Sequence, residues 1–488
     1  MHDRSPVQTE VVIIGAGFGG LGLGIRLKER GLDDFVILER SDHVGGVWRQ
    51  NRYPGAECDV PSHLYSFSFE LRADWPERYA SQSDILDYLT HCARKYRIGP
   101  HIRFGAEVVQ ARWEQTSCRW MVETGDGRAF SARALVSATG QLSRPLQPGL
   151  PGLTSFSGTA FHSAAWRHDC ELSGKRVAVI GTGASAIQLV PMIAPLAQRL
   201  FVFQRSAAYV FPKSNKPYAR WQKKLFGRIP VALRLSRLLI YLQHEMTAFA
   251  FVSLPGALRF KRFLFRRHLR REIESEELRN RLTPDYYVGC KRILLSNTYY
   301  AAMGRPNVEL VTEAIDHVRP DAIVTSDGIE RKVDVIIFAT GFAATDFLAP
   351  IRIVGPDGRQ LHDVWRGEAR AYLGIAMPGF PNFFMLYGPN TNLGHNSVVY
   401  MIESQISHVL ACLERLHNDR TSTIEIRPDI EQHFQARTQQ RLQKTVWAKG
   451  CSTWYLTPTG KNTANWPGYT FEYRRKARTP NWKHYVVR

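Results

Sequence analysis

The 488-residue chain has few of the features that would tie it to a membrane, a metal or a disulfide framework. Its seven cysteines are odd in number and scattered, and no CxxC pair occurs. We therefore expect reduced thiols and no metal site. The first residues have no apolar signal-peptide core. The most apolar stretch, 238–258, is interrupted by Gln243, His244, Glu245 and Pro255, so we expect no transmembrane span and a cytoplasmic protein.

Acidic residues are also scarce, since 44 Asp and Glu face 64 Lys and Arg, a net charge of +20. Residues 211–290 hold 17 basic and 6 acidic residues, which contribute +11 of that charge. Such a block can attract phosphates, nucleic acid or anionic lipid. No nucleic-acid-binding motif accompanies it, so we expect a solvated face on a helical insert and no nucleic-acid partner. Peripheral contact with a membrane remains an alternative.

What the chain does have is a glycine-rich turn between an apolar strand at 10–14 and a helix. Gly15 permits a tight turn, Gly17 lets the backbone approach a pyrophosphate, and Gly20 allows close packing of helix on strand. The free N–H groups of the helix start would bind the phosphates. Glu39 follows the next strand, 19 residues beyond Gly20, where it can accept hydrogen bonds from ribose hydroxyls. This unit is predicted to bind FAD.

A second unit repeats the pattern 166 residues later, with a strand at 175–180. The residues predicted to contact its nucleotide are Gly181, Thr182, Gly183 and Ser185. Its second strand ends in Arg205 and Ser206 instead of an acidic residue. A carboxylate would repel a 2′-phosphate, whereas a guanidinium and a hydroxyl can bind one. The second unit is therefore predicted to bind NADPH rather than NADH.

These patterns predict an α/β fold with two Rossmann-like dinucleotide-binding domains and an inserted helical segment. Strands ending in Ala-Thr-Gly at 138–140 and 339–341 are placed where the chain passes between the domains. The predicted division is FAD-binding domain, first part, 1–147; NADPH-binding domain, first part, 148–215; helical basic insert, 216–286; NADPH-binding domain, second part, 287–372; and FAD-binding domain, second part, with a substrate-side tail, 373–488.

Two longer motifs lie near these units. One is F-x-G-x-x-x-H-x-x-x-W over 156–166, which contains His162 and Trp166. The other runs over 45–59, as G-G-x-W-x-x-x-x-Y-P-G-x-x-x-D. Together they resemble the signatures of the flavin- and NADPH-dependent Baeyer–Villiger monooxygenases. That resemblance implies FAD, NADPH, O2 and a C4a-peroxyflavin that inserts one oxygen atom beside a ketone or aldehyde carbonyl, giving an ester or lactone. One departure is Arg167, where the family signature continues with Pro or Asp.

The resemblance also implies roles for individual residues. Arg292, in a Lys-Arg pair ahead of Tyr299-Tyr300, matches the arginine that supplies fixed positive charge, and Asp59 matches its partner carboxylate. Lys291 is placed to contact the cofactor or the moving linker. His162 and Trp166 lie on that linker, and His162 is expected to gate its movement rather than to act as a general base. The further residues implied to hold the cofactors are Gly46, Trp48, Tyr53, Asp59 and Asn392.

Alternatives remain at this stage. An N- or S-oxygenating flavin-containing monooxygenase is the nearest, and Trp166 together with the complete 45–59 motif argues against it. A flavoprotein disulfide reductase needs a redox cysteine pair, and neither CxxC nor CxxxxC occurs. A third alternative is a membrane- or polyanion-binding protein on an inactive flavoprotein scaffold. The Asp59–Arg292 pairing could also be an ordinary ion pair at a domain boundary.

Overall fold

The computed structural model describes residues 5–419 and 422–488. The strands are β1 (Val7–Ile14), β2 (Phe35–Leu38), β3 (Ile102–Arg103), β4 (Val108–Glu114), β5 (Arg119–Thr124), β6 (Ala129–Ser137), β7 (Thr159–His162), β8 (Arg176–Ile180), β9 (Arg199–Phe203), β10 (Val210–Phe211), β11 (Leu294–Leu295), β12 (Val308–Val311), β13 (Ile315–Arg319), β14 (Ala322–Thr325), β15 (Glu330–Lys332), β16 (Val335–Phe338), β17 (Arg352–Val354), β18 (Phe383–Met385), β19 (Ile424–Ile426) and β20 (Tyr485–Val487).

The α-helices are α1 (Phe18–Glu29), α2 (Val47–Gln50), α3 (Gln82–Lys95), α4 (Ala184–Ile193), α5 (Arg220–Arg228), α6 (Pro230–Val252), α7 (Leu258–Glu272), α8 (Glu276–Arg281), α9 (Tyr299–Met303), α10 (Leu361–Trp365), α11 (Val398–Asn418), α12 (Pro428–Leu442) and α13 (Thr470–Ala477). None of these helices is long and apolar enough to cross a bilayer.

The first sheet contains the strand of the first glycine loop. Its order is β17-β4-β5-β6-β1-β2-β3, and β18 also pairs with β6. Strand β1 lies parallel to both β2 and β6. Its second half, Val11–Ile14, is buried, as expected for a parallel strand covered on both faces. Helix α1 follows β1 and packs against α11.

The second sheet has the order β12-β9-β8-β16-β7, and all of its pairings are parallel. Strand β8 leads through the second glycine loop into α4. The predicted linker contributes β7, which pairs with β16 at the edge of this sheet. Two parallel sheets, each with a glycine turn between strand and helix, confirm the predicted Rossmann-like architecture.

The basic insert consists of α5, α6, α7 and α8. The short pairing of β10 with β11 brings together the chain on either side of it. Strand β17 falls within the 287–372 range that the sequence assigns to the NADPH-binding domain. It pairs instead with β4 in the first sheet, because the chain has already crossed back by then.

The expectation of reduced thiols throughout is wrong for one pair. Cys290 and Cys451 form a disulfide across 161 residues of sequence. The separation gives no local spacing signal, and the pair meets because the tail packs against the segment that carries Lys291 and Arg292. The other five cysteines are free.

Candidate active site

A cavity of about 1840 Å³ lies between the two units. Typical small-molecule pockets measure roughly 300–1,000 Å³, so this one has room for two dinucleotides. Both glycine loops line it, together with the 45–59 loop, Lys291, Arg292 and the tail residues Ser452–Trp454. The carboxyl ends of β1 and β8 open into it, as ligand sites do in open α/β sheets.

The first glycine loop makes direct backbone contact with the 45–59 loop. A Cβ at Gly46 would lie 3.2 Å from the Cα of Gly17, and Gly46 has a φ of +55°. Gly15 and Gly17 line the cavity. Gly20 does not line it, and instead lies in α1, where a Cβ would overlap the carbonyl oxygen of Gly15. The loop is therefore a cradle from which side chains are excluded, as close approach of a pyrophosphate requires.

Glu39 stands at the end of β2, where it is buried and fixed by backbone donors. Its carboxylate accepts hydrogen bonds from the N–H of Ala16 at 2.7 Å and of Ser41 at 2.8 Å. A carboxylate has about four acceptor positions, so two remain for ribose hydroxyls. The cradle and this acceptor fit FAD.

The second unit has a different environment at the matching strand end. The Thr182 hydroxyl donates to the carbonyl of Ser206 at 3.0 Å, which ties the glycine loop to that strand end. The Lys291 ammonium donates to the Ser206 hydroxyl at 2.9 Å. Burial, and then the charge of exposed Arg205, lower the pKa of Lys291. Two cations and a hydroxyl converge here, which suits the 2′-phosphate of NADPH.

The 45–59 loop is anchored to both units. Trp48 lines the cavity and its indole N–H donates to the Tyr65 hydroxyl at 3.2 Å. The Tyr53 hydroxyl donates to the Gln188 side chain of α4 at 2.9 Å. Burial raises the pKa of Tyr53 to about 12, so it remains a donor. Its main contact is thus with the second unit, and it holds the loop across the domain boundary.

Arg292 and Asp59 form a bidentate ion pair beside the cavity. The Arg292 Nε donates to Asp59 Oδ2 at 3.0 Å, and Nη2 donates to Oδ1 at 2.7 Å. Their side chains are 31% and 25% exposed, so the guanidinium keeps an open edge. The charge of Asp59 raises the pKa of Arg292 despite burial. Burial raises the pKa of Asp59, but Arg292 outweighs it and lowers that pKa below the usual value.

A second buried cation, Lys213, holds the same loop. Its ammonium donates to the carbonyl of Cys58 at 2.9 Å and lies 2.7 Å from a carboxylate oxygen of Glu57. Only 3% of its side chain is exposed, and the ammonium stands 4.7 Å from the centre of the Tyr79 ring. Lys213 and Arg292 both come from outside the first unit, so together they clamp the segment that ends in Asp59. Apart from its charge, nothing in the sequence marks Lys213 as a functional residue.

The linker residues lie at the edge of the second sheet. His162 Nδ1 accepts the N–H of Ala164 at 3.0 Å, so Nε2 carries the proton and donates to the carbonyl of Gly341 at 3.1 Å. Burial lowers the pKa of His162, which keeps the ring neutral at pH 7. Trp166 packs edge-on against Phe161 with ring centres 5.2 Å apart, outside the cavity lining.

Asn392 does not reach the cavity. Its side chain accepts a hydrogen bond from the Tyr387 hydroxyl at 2.6 Å and donates to the Asn465 side chain at 2.8 Å. The neighbouring Leu393 and the start of α11 line the cavity instead. Tyr455, in the predicted substrate-side tail, is fully buried outside the cavity lining, and burial raises its pKa to about 12.

The model of the flavin-binding monooxygenase-like family matches residues 8–350. A Baeyer–Villiger monooxygenase of Streptomyces coelicolor is 44% identical over 489 residues, covering 100% of this chain and 94% of the relative. A Baeyer–Villiger monooxygenase of Pseudomonas aeruginosa is 43% identical over 471 residues, covering 96% of this chain and 89% of the relative.

Solved structures show the same likeness across the chain. Steroid monooxygenase bound to NADP superposes with a TM-score of 0.88 at 32% identity, covering 99% of each chain. Cyclohexanone monooxygenase of Rhodococcus sp. Phi1 bound to NADP+ gives 0.89 at 30% identity, covering 99% of this chain and 100% of that one. The cradle, the two nucleotide sites and these likenesses agree: the chain belongs to the flavin-binding monooxygenase-like family and is a Baeyer–Villiger monooxygenase that uses FAD and NADPH.

Proposed function

We propose that Arg292, oriented by Asp59, supplies the positive charge that oxygen insertion requires. The overall reaction converts a ketone or aldehyde, O2, NADPH and a proton into an ester or lactone, NADP+ and water. Bound FAD supplies the route by which two electrons pass from NADPH to O2. The observation that carries the proposal is the bidentate Arg292–Asp59 pair beside the cavity between the two nucleotide sites.

The chemistry explains why an arginine suits this position. When the carbonyl carbon is attacked, its oxygen gains negative charge, and a preorganised donor lowers the energy of that state. Arg292 stays protonated because of Asp59 and presents several N–H donors. Asp59 uses one edge of the guanidinium and leaves another for the reacting oxygen atoms. Asp59 is thus a positioning residue in this proposal, and Arg292 is the catalytic one.

We assign NADPH to the unit formed by 148–215 and 287–372, up to the return of the chain into the first sheet. Arg205, Lys291 and Ser206 would bind the 2′-phosphate. His162 would gate cofactor movement, because its Nε2–H bond to Gly341 ties the linker to the end of β16. Trp166 would contribute by fixing the linker through Phe161.

We place the enzyme in the cytoplasm, as five free cysteines suggest. Fractionation of cells that produce the full chain, with NADPH-dependent ketone oxidation as readout, checks this placement. Recovery of the activity in the periplasmic or secreted fraction would contradict it.

The test of Arg292 uses Arg292→Ala and Arg292→Lys. Both variants should bind FAD and be reduced by NADPH at close to the normal rate. Ester formation should fall by roughly 100-fold or more in the alanine variant, the size expected for loss of a preorganised donor. NADPH consumption should then end in hydrogen peroxide. The lysine variant keeps the charge but not the bidentate geometry and should recover little.

Asp59→Asn is the matched control, because it keeps the shape of the partner and removes its charge. It should slow ester formation less than Arg292→Ala and alter the pH profile of the reaction. Full ester formation by Arg292→Ala would refute the proposed role and leave the pair as a structural contact.

A further inference from the structure

Helix α6 is fixed by polar contacts on its inner face. Arg237 donates to the carbonyls of His63 at 2.7 Å and Ser66 at 3.0 Å. The carboxylate of Glu245 accepts the N–H of Thr470 at 2.8 Å. Because these groups are buried against the first unit, the rotation of the helix about its axis is determined. Its outer face is therefore a defined surface of the protein.

That outer face is apolar. The exposed side chains of α6 include Val231, Leu235, Leu238, Leu239, Leu242, Met246 and Phe249. They recur every three or four residues and form one stripe along the helix. Their exposed fractions run from 47% for Leu242 to 77% for Met246. A surface helix normally has the opposite arrangement, with its polar residues outward.

The flanking helices extend this pattern. Trp221 of α5 is 66% exposed, and Phe260 and Phe263 of α7 are 65% and 61% exposed. The two phenylalanine rings stack on each other with centres 6.3 Å apart. Of the 24 exposed large hydrophobic side chains among the described residues, 14 fall within 220–264. Singly scattered apolar residues need no explanation, but a concentration of this kind marks an interaction surface.

The same three helices carry exposed cations. The exposed basic residues of the helices are Arg220, Lys224, Arg228, Arg234, Arg259, Arg262, Arg266, Arg267, Arg270 and Arg271. Within 5–419 and 422–488, none of them pairs with a carboxylate. The acidic residues between 220 and 272 are Glu245, which is buried, and Glu272. Residues 220–272 therefore present unpaired positive charge beside exposed apolar side chains.

We propose that the outer face of α5–α7 docks on the surface of an anionic phospholipid bilayer. Anionic lipid is the occupant that matches both the charged and the apolar side chains of this surface. Its phosphate headgroups can pair with the arginines, while its acyl region can receive the leucine and phenylalanine side chains. A second copy of this chain would bring ten like charges against the same ten across a two-fold axis. A nucleic acid would leave the apolar stripe exposed to water.

The docking is peripheral and does not depend on the role assigned to Arg292. The helices lie on the bilayer rather than across it, because polar contacts on the inner face of α6 hold that helix to the first unit. Clusters of Lys and Arg beside an apolar helix face bind the negatively charged leaflet that faces the cytoplasm.

The test is sedimentation of the full-length FAD-loaded enzyme with vesicles. One vesicle preparation is phosphatidylcholine alone, and the other contains 30% phosphatidylglycerol. We expect at least fivefold more bound enzyme on the anionic vesicles, and loss of most binding in 0.5 M NaCl. Equal binding to both vesicles, or none to either, would overturn the proposal.

Two variants separate the contributions of the two halves of the surface. The triple variant Leu238→Ser, Leu242→Ser, Met246→Ser removes apolar contact, and Arg262→Gln, Arg266→Gln, Arg267→Gln removes charge. Each should lower binding to anionic vesicles at least fivefold while FAD content stays normal. The matched controls are Val109→Ser with Ile329→Ser, and Arg94→Gln with Arg437→Gln, which alter exposed residues elsewhere.

If the apolar variant loses FAD, the charge variant alone decides. Unchanged vesicle binding in the charge variant contradicts the proposal. Size-exclusion chromatography of the wild type and the apolar variant gives the remaining outcome. A dimer that becomes a monomer when the stripe is removed would identify a second copy as the occupant and overturn lipid docking.

Discussion

The two nucleotide-binding units use one backbone plan and differ at a few side chains. The first has Gly20 where the second has Ala186, and Glu39 where the second has Arg205. In the first unit the glycine turn is so close to α1 that no Cβ fits at Gly20. In the second, α4 accommodates the methyl group of Ala186. The plan sets where a dinucleotide can lie, and we propose that the residue at the second strand end selects between the two dinucleotides.

The largest effect is expected from exchanging the small residues of the two turns. Gly20→Ala should abolish FAD binding, because the added methyl group overlaps the carbonyl oxygen of Gly15. The measurement is the ratio of flavin to protein absorbance in the purified enzyme. Ala186→Gly should keep FAD and NADPH and lose only about 1 kcal/mol of stability. Equal flavin content in the two variants would show that the turns are interchangeable.

Arg205→Ala should change the choice between the two nicotinamide cofactors. Loss of a charge-assisted contact with the 2′-phosphate should raise the KM for NADPH roughly 10-fold or more, while the KM for NADH changes little. Steady-state kinetics with both cofactors measures the ratio. A similar rise for both would remove Arg205 from the 2′-phosphate site.

Lys213→Met tests the contact between the units rather than either nucleotide site. It keeps the length of the side chain but leaves the Glu57 carboxylate and the Cys58 carbonyl without their buried partner. The 57–59 segment should loosen, so we expect ester formation to fall about 10-fold with FAD content unchanged. The control is Lys216→Met, which makes the same substitution at an exposed position. An unaltered rate in Lys213→Met would show that Arg292 alone fixes Asp59.

A further expected effect is acid sensitivity of the first unit. Burial lowers the pKa of His63 and His408 to about 4 and that of His395 to about 3, all in the first unit. The unfolded chain binds protons near pH 6.5 and the folded chain does not. This stability is therefore fully present above pH 6.5 and falls as the pH drops towards 4, by about 1.4 kcal/mol per pH unit for each histidine.

Urea unfolding at pH 7 and pH 5, followed by flavin fluorescence, should show release of FAD at lower urea at pH 5. His395→Phe should make this pH dependence shallower, since neither nitrogen of His395 has a hydrogen-bond partner. His43→Gln, at an exposed position, should leave it unchanged. If the wild type, His395→Phe and His43→Gln show the same pH dependence, His395 does not contribute to the acid sensitivity.

Sequence reasoning succeeded where chemistry is encoded over short spacings. The turns at Gly15 and Gly181 require a strand, a helix and a strand end within about 30 residues, so the two-unit fold was predictable. The Arg292–Asp59 pair was predictable only from the resemblance to known enzymes, because 233 residues separate the two in sequence.

The remaining features depend on contacts between distant segments. In the sequence, Lys213 is one basic residue among many. Only the folded structure shows that it is buried beside Glu57. The disulfide between Cys290 and Cys451 joins residues too far apart in sequence to give a spacing signal. The side chain of Asn392 accepts a hydrogen bond from Tyr387 and does not reach the cavity. Tertiary packing decides each of these, and no local pattern records it.

The most direct test of the central claim is the fate of labelled oxygen. The purified enzyme, supplied with NADPH, a panel of cyclic and linear ketones and 18O2, should give esters or lactones that carry one 18O atom in the newly formed C–O–C bridge. One NADPH should be consumed for each ester formed. Oxidation of NADPH that yields only hydrogen peroxide across the panel, or label that appears only in sulfoxides or N-oxides offered in parallel, would contradict the account.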